Sequence, residues 1–169
     1  MNRFIAFTLT SMALPCFAAT LSAGAAAAQT ARDLVGTWMN VSNVNIRADG
    51  TRINAFGPKG TGIVIFESNG RYAIININPD VPKFASNSRA QGTAAENKAA
   101  TEGAIGHYGT YTYDPATKVI NLNVEGSTYP NWTGTEQKRT IITFAGDDLK
   151  WSVAASIGGT GEVGWKRVK

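Results

Sequence analysis

The chain has 169 residues, a formal net charge of +4, one histidine and one cysteine. Its basic residues are scattered and form no acid-poor stripe, which speaks against a nucleic-acid face, where Lys and Arg must cluster together. One histidine and one cysteine give no zinc ligand set, so neither a metal nor a cofactor is expected.

The chain opens as a secretory signal peptide does. Arg3 precedes an apolar run, and the run closes on Ala26-Ala27-Ala28. Thr8, Thr10, Ser11 and Pro15 interrupt it, which argues against a retained membrane anchor. Pro15 ahead of Cys16 is wrong for lipid attachment, which wants a small residue there. Cleavage after Ala28 removes Cys16 and leaves residues 29–169 as one domain without a disulfide or a stable membrane anchor. The expected location is the periplasm or the medium.

Beyond that segment, short β-rich runs alternate with turn chemistry. Strands are expected near 36–46, 61–67, 71–78, 107–114, 118–126, 137–145, 148–155 and 162–168, with a weaker one at 51–56. "ADGT", "SNG", "DPATK" and "AGDD" supply the Gly, Asn, Asp and Pro that turns need. Residues 78–105 form one long insertion, a candidate lid or end plug. It contains a helix that starts at Thr93, with Glu96 three residues on as a capping box, and stops at Gly103.

Two hairpins assign faces. Placing Tyr113 opposite Ile120 and Tyr111 opposite Leu122 puts His107, Tyr111, Tyr113, Ile120, Leu122 and Val124 on one face. Glu125, Tyr108 and the asparagines then lie on the other; a slip by one residue would bury the asparagines. In the second hairpin Phe144 faces Leu149 and Ile142 faces Trp151, which puts Thr140, Ile142 and Phe144 inside. The expected fold is therefore all-β, an antiparallel up-and-down β-barrel of 8–9 strands, with one short helix in a long inter-strand insertion. A barrel of about eight strands can hold one small ligand.

"LVGTW" at 34–38 and "VGWKRVK" at 163–169 resemble the lipocalins, in which a first-strand Trp and a late basic residue close the barrel base. Gly36 and Trp38 match the first element; Arg167 or Lys166, beside Trp165, matches the second. The blocks "PKFASNSRAQGTAAENKAA", "YGTYTYD" and "VEGSTYPNWTGTEQKR" resemble the bacterial lipocalin-like domain proteins along almost the whole of 29–169. That resemblance implies a small-molecule-binding barrel and no defined activity.

Chemistry centres on His107, placed inward with Tyr111 and Tyr113. A neutral imidazole there either orients a ligand or serves as a general acid/base. Trp132 is expected in a loop over the barrel mouth, as lining or as a staple. Tyr72 and Arg139 join the candidate ligand-binding residues with their faces left open, and Arg139 is also paired in expectation with Glu125 across the hairpin. Gly126 marks a possible bulge. Gly159-x-Gly161-x-x-Gly164 lacks the strand before and helix after it that a dinucleotide site needs, so it reads as a turn. The leading functional expectation is an exported protein that binds a small apolar or aromatic molecule. The alternatives are a cofactor-free isomerase, cyclase or lyase using His107, and a solidly packed structural or protein-interaction module.

Overall fold

The computed structural model describes residues 29–169. The expected signal segment lies outside the described residues. After a four-residue helix, α1 (Ala31–Leu34), come nine strands: β1 (Gly36–Ile46), β2 (Arg52–Asn54), β3 (Thr61–Phe66), β4 (Arg71–Ile77), β5 (Ala104–Asp114), β6 (Val119–Ser127), β7 (Glu136–Ala145), β8 (Asp148–Ala154) and β9 (Thr160–Arg167). Helix α2 (Ala94–Glu102) lies between β4 and β5.

Every ladder is antiparallel, in the order β2-β1-β3-β4-β5-β6-β7-β8-β9, and β9 pairs back onto β1. Eight strands therefore close an up-and-down barrel, with β2 as an extra strand on the end of β1. Closure removes the free sheet edges that would otherwise template aggregation. Strict alternation of burial along β3 and β4 marks one face in and one out. The expected strands differ from these mainly at their ends.

Three bulges set the phase of the walls. The first falls at Val41 in β1, the second at Glu125 in β6 and the third at Ile142 in β7. In the β5–β6 hairpin the expected register holds: Tyr113 faces Ile120, Tyr111 faces Leu122 and Gly109 faces Val124. A Cβ on Gly109 would overlap the Asn123 carbonyl oxygen, so the bulge on the facing strand depends on this glycine. In β7 the expected inner face needs correction. Phe144 does face Leu149, but the extra residue at Ile142 reverses the alternation, so Ile141 faces Trp151. Ile141 is buried, whereas Ile142 and Thr140 point outward.

One end of the barrel is shut. Trp38 is fully buried, and its Nε1 donates to the Leu34 carbonyl oxygen at 2.8 Å. The Arg167 guanidinium lies 4.0 Å from the Trp38 ring centroid and donates to the Val35 carbonyl oxygen at 2.7 Å, with a second bond to that of Asp33. Gly36 has φ +128°, and a Cβ there would press on Arg167 Nη1. Of the two basic candidates, Arg167 closes the base; Lys166 points outward to Asp148. Above this plug Phe66, Tyr111, Leu122, Ile120 and Leu149 fill the lower half of the barrel.

Candidate functional site

Toward the other end the interior changes character. A cavity of about 280 Å³ opens between the ends of the strands. Its apolar walls are Ile74, Trp151, Val153, Val163 and Trp165, and its rim comes from four connections. These are Ala55–Phe56 after β2, Thr101–Glu102 at the end of α2, Thr128–Pro130 and Trp132 after β6, and Ala154–Ile157 at the end of β8. The long insertion is thus one rim element rather than a plug. Its neck is closed by the Asn78 amide donating to the Gly103 carbonyl oxygen at 2.7 Å, and α2 buries no residue. The capping box is present: Glu96 bonds back to Thr93, and the Glu96 carboxylate also accepts from the Ala85 amide at 2.7 Å.

Polar groups enter this apolar chamber from several strands. His107, on β5, is buried and contacts Tyr72 on β4, whose hydroxyl lies 2.9 Å from His107 Nδ1. Arg139, on β7, is buried and brings Nη2 to 3.5 Å from His107 Nε2, while Nη1 donates to the Lys138 carbonyl oxygen at 3.2 Å. A guanidinium only donates, so Nε2 facing it must be the lone-pair nitrogen. The proton then sits on Nδ1 and is donated to the Tyr72 oxygen. Trp132 folds over this cluster: its ring stands edge-on to His107 at 5.4 Å between centroids, and Arg139 Cζ is 5.8 Å from its centre. It lines the cavity and staples the loop at once.

Burial controls the protonation of the cluster. Desolvation first, then the Arg139 charge, pushes His107 down to about 3, so the imidazole is neutral at physiological pH. Desolvation lowers Arg139 to about 10, which leaves it a cation, and raises Tyr72 to about 12, which leaves it a phenol. No carboxylate pairs with Arg139 among the described residues.

The expected Glu125–Arg139 pair is therefore corrected. Arg139 faces Ile120 across the hairpin, on the inside. Glu125 is the bulged residue on the outer face and takes Arg71 in a two-point contact, at 2.6 and 3.2 Å. Tyr111 and Tyr113, expected near the ligand, lie below the cavity and do not line it. The Tyr111 hydroxyl donates to the Glu67 carbonyl oxygen at 3.1 Å, and Tyr113 packs on Phe144. Tyr72 reaches the site through His107. Trp165, grouped in expectation with the barrel closure, instead stacks on Trp151 at 5.1 Å and lines the cavity.

Two further polar residues were not among the expected ones. Asn45 on β1 donates its Nδ2 to the Gly158 carbonyl oxygen at 2.9 Å, but its Oδ1 has no partner. Asn76 Oδ1 on β4 and Trp165 Nε1 are likewise buried and unpaired. All three residues line the cavity. Asn76 was in principle readable: it continues the inward phase of Tyr72 and Ile74 along β4. Asn45 was hidden by the bulge at Val41, which shifts its face. Among the described residues there is no cluster of metal-ligating side chains.

A closed up-and-down barrel, shut by a Trp–Arg plug and hollow at its open end, is a calyx. The lipocalin-like domain family model matches residues 35–167, and the chain belongs to that family. No curated protein matches the chain. Among solved structures it is similar to a redesigned β-barrel at 15% identity, covering 83% of this chain and 96% of the other with a TM-score of 0.43. A redesigned barrel described as bound to DFHBI is 18% identical over 82% and 98%, with a TM-score of 0.39. A variant of the fluorescent protein UnaG is 10% identical over 81% and 97%, with a TM-score of 0.38. Likenesses this distant say nothing of what the chain binds.

Proposed function

We propose that this protein is an exported carrier or receptor that takes up one small, largely apolar or aromatic molecule in the open half of the barrel. The observation that carries the reading is the cavity itself, with aromatic walls and a few buried polar groups that have no partner in the protein. Small-molecule sites have this composition: apolar surface for affinity and a few polar groups for orientation. A barrel built only to be rigid has no use for unpaired buried polar atoms, each of which costs roughly 1–3 kcal/mol. The export part of the proposal rests on residues 1–28.

The acid–base alternative draws less support. A general base works best with a pKa near the working pH. An imidazole pushed down to about 3 is uncharged at pH 7, with its one proton engaged by Tyr72, and is a weak base. The Tyr72–His107–Arg139 chain suits an orienting role better.

The test is native mass spectrometry of the protein isolated from its own host, followed by extraction and identification of any bound small molecule. The expected result is one defined mass adduct that is lost on denaturation. Protein that arrives bare, and shows no saturable binding when the extractable small molecules of the host are titrated back, would overturn the proposal.

A further inference from the structure

The most unusual group in the cavity is Arg139. It is 3% exposed, it faces the chamber, and no carboxylate among the described residues neutralises it. Buried charges are normally paired, because the desolvation penalty is several kcal/mol per ion. The protein gives this guanidinium one carbonyl bond and one long contact to a neutral imidazole, which uses few of its five N–H groups. Desolvation does not discharge it, since its pKa remains near 10. Its counter-charge is therefore missing from the described chain.

We propose that the missing partner is the carboxylate of the ligand: the cavity takes a small organic acid, with its apolar or aromatic body on the tryptophan walls and its anionic end on Arg139. This deepens the binding proposal above and rests on it. A planar carboxylate matches the fork of a guanidinium with two parallel bonds, and the low-dielectric surroundings strengthen them. Every neighbour of Arg139 fits this role. His107 offers a lone pair that holds one Nη2 hydrogen in place, Tyr72 takes up the Nδ1 proton of that tautomer, and Trp132 caps the guanidinium with its π face. Among the described residues no acidic side chain lines the chamber except Glu102, at the rim on the end of α2.

The chamber also carries unpaired acceptors. Around the barrel, β7 lies across from β3, and the strands flanking β3 are β1 and β4. These carry Asn45 and Asn76, whose Oδ1 atoms are unpaired acceptors. A molecule in the chamber would thus find unpaired amide acceptors as well as the cation.

The test compares naphthalene-1-carboxylate with naphthalene-1-carboxamide, a neutral molecule of nearly the same shape, by isothermal titration calorimetry. On the wild-type protein the carboxylate is expected to bind about tenfold or more tighter, the scale of a charge-assisted pair net of its desolvation. In Arg139→Met that preference should vanish while carboxamide binding stays within about threefold. Arg139→Gln, which keeps hydrogen bonding without the charge, should lose it too. Equal binding of the two probes to the wild type, or a preference that survives both substitutions, overturns the anion assignment and leaves the pocket standing. If neither probe binds at millimolar concentration, the assignment falls together with the binding proposal.

Discussion

The protonation of His107 gives a measurable pH dependence of stability. The groups facing the ring are the Tyr72 hydroxyl, the Arg139 guanidinium and the edge of Trp132. In the unfolded chain the imidazole titrates near 6.5; in the folded barrel desolvation and Arg139 hold it near 3. Between those values the unfolded state binds a proton that the folded state refuses. His107 is thus neutral in both states above pH 7 and contributes nothing there, and it destabilises the fold progressively as pH falls below 6.5. At pH 5.0 the loss works out at about 2 kcal/mol. With a urea m-value of about 2 kcal/mol/M, the midpoint should drop by about 1 M between pH 7.5 and pH 5.0. Asp33, Asp49, Glu96, Asp114 and Glu162 have lowered pKa values and lose stability only as pH falls through the carboxylate range, so pH 5.0 keeps their effect small. The control is His107→Asn, whose amide can still meet the Tyr72 hydroxyl but does not titrate. Urea denaturation followed by tryptophan fluorescence should show a steep pH dependence in the wild type and a shallow one in the variant. If the two curves fall in parallel, His107 is not shielded as described.

Three further outcomes follow from particular contacts. Arg139→Met should raise the stability of the ligand-free protein by about 2 kcal/mol: about 3 kcal/mol of desolvation is relieved and one carbonyl bond is lost. A melt showing clear destabilisation would make Arg139 a structural residue. Trp38→Ala should cost about 3–5 kcal/mol in chemical denaturation, because it empties the base of the barrel and strips Arg167 of its ring and the Leu34 carbonyl of its donor. A loss below about 1 kcal/mol would mean that the plug does not hold the closed end. Trp132→Ala should change stability by less than about 1 kcal/mol, since the ring is half-buried, yet speed dissociation of naphthalene-1-carboxylate about tenfold in stopped-flow fluorescence. An unchanged off-rate would remove Trp132 from the mouth.

The fold was legible because its signals are local. Turn residues at regular spacing, alternation along β3 and β4, and the apolar–polar split of the β5–β6 hairpin each specify one step of the barrel. "LVGTW" and the Arg167 segment locate its closed end. The site was only partly legible, and the obstacle was the same at each miss. A bulge adds one residue and inverts every face beyond it, without changing composition. Ile142 looked interior and Arg139 left its face open because nothing in "KRTIITF" announces the extra residue at Ile142. Asn45 was concealed in the same way by Val41. The other obstacle was depth. Tyr111 and Tyr113 do face inward, but period-2 reasoning gives a residue's face and not its height, and they stand below the chamber.

Height turns out to organise the molecule. From the base upward, β1 carries Trp38 and then Asn45, β4 carries Tyr72, Ile74 and then Asn76, and β7, read from its base end, carries Phe144, Ile141 and then Arg139. On each of these walls the inward residues are apolar or aromatic below and polar above. The lower half therefore supplies stability: Trp38, Phe66, Ile120, Leu122 and Leu149 are packed without polar interruption. The upper half gives stability away, through a buried unpaired cation, two amide oxygens and an indole N–H without partners. Natural sequences retain such costs where a function needs them, because replacing each group with a hydrocarbon of similar size would be the more stable choice. The polar positions come from four strands distant in sequence yet converge on one chamber. That convergence is hard to reconcile with a protein whose only task is to be a barrel, and it is what a site awaiting an amphipathic acid requires.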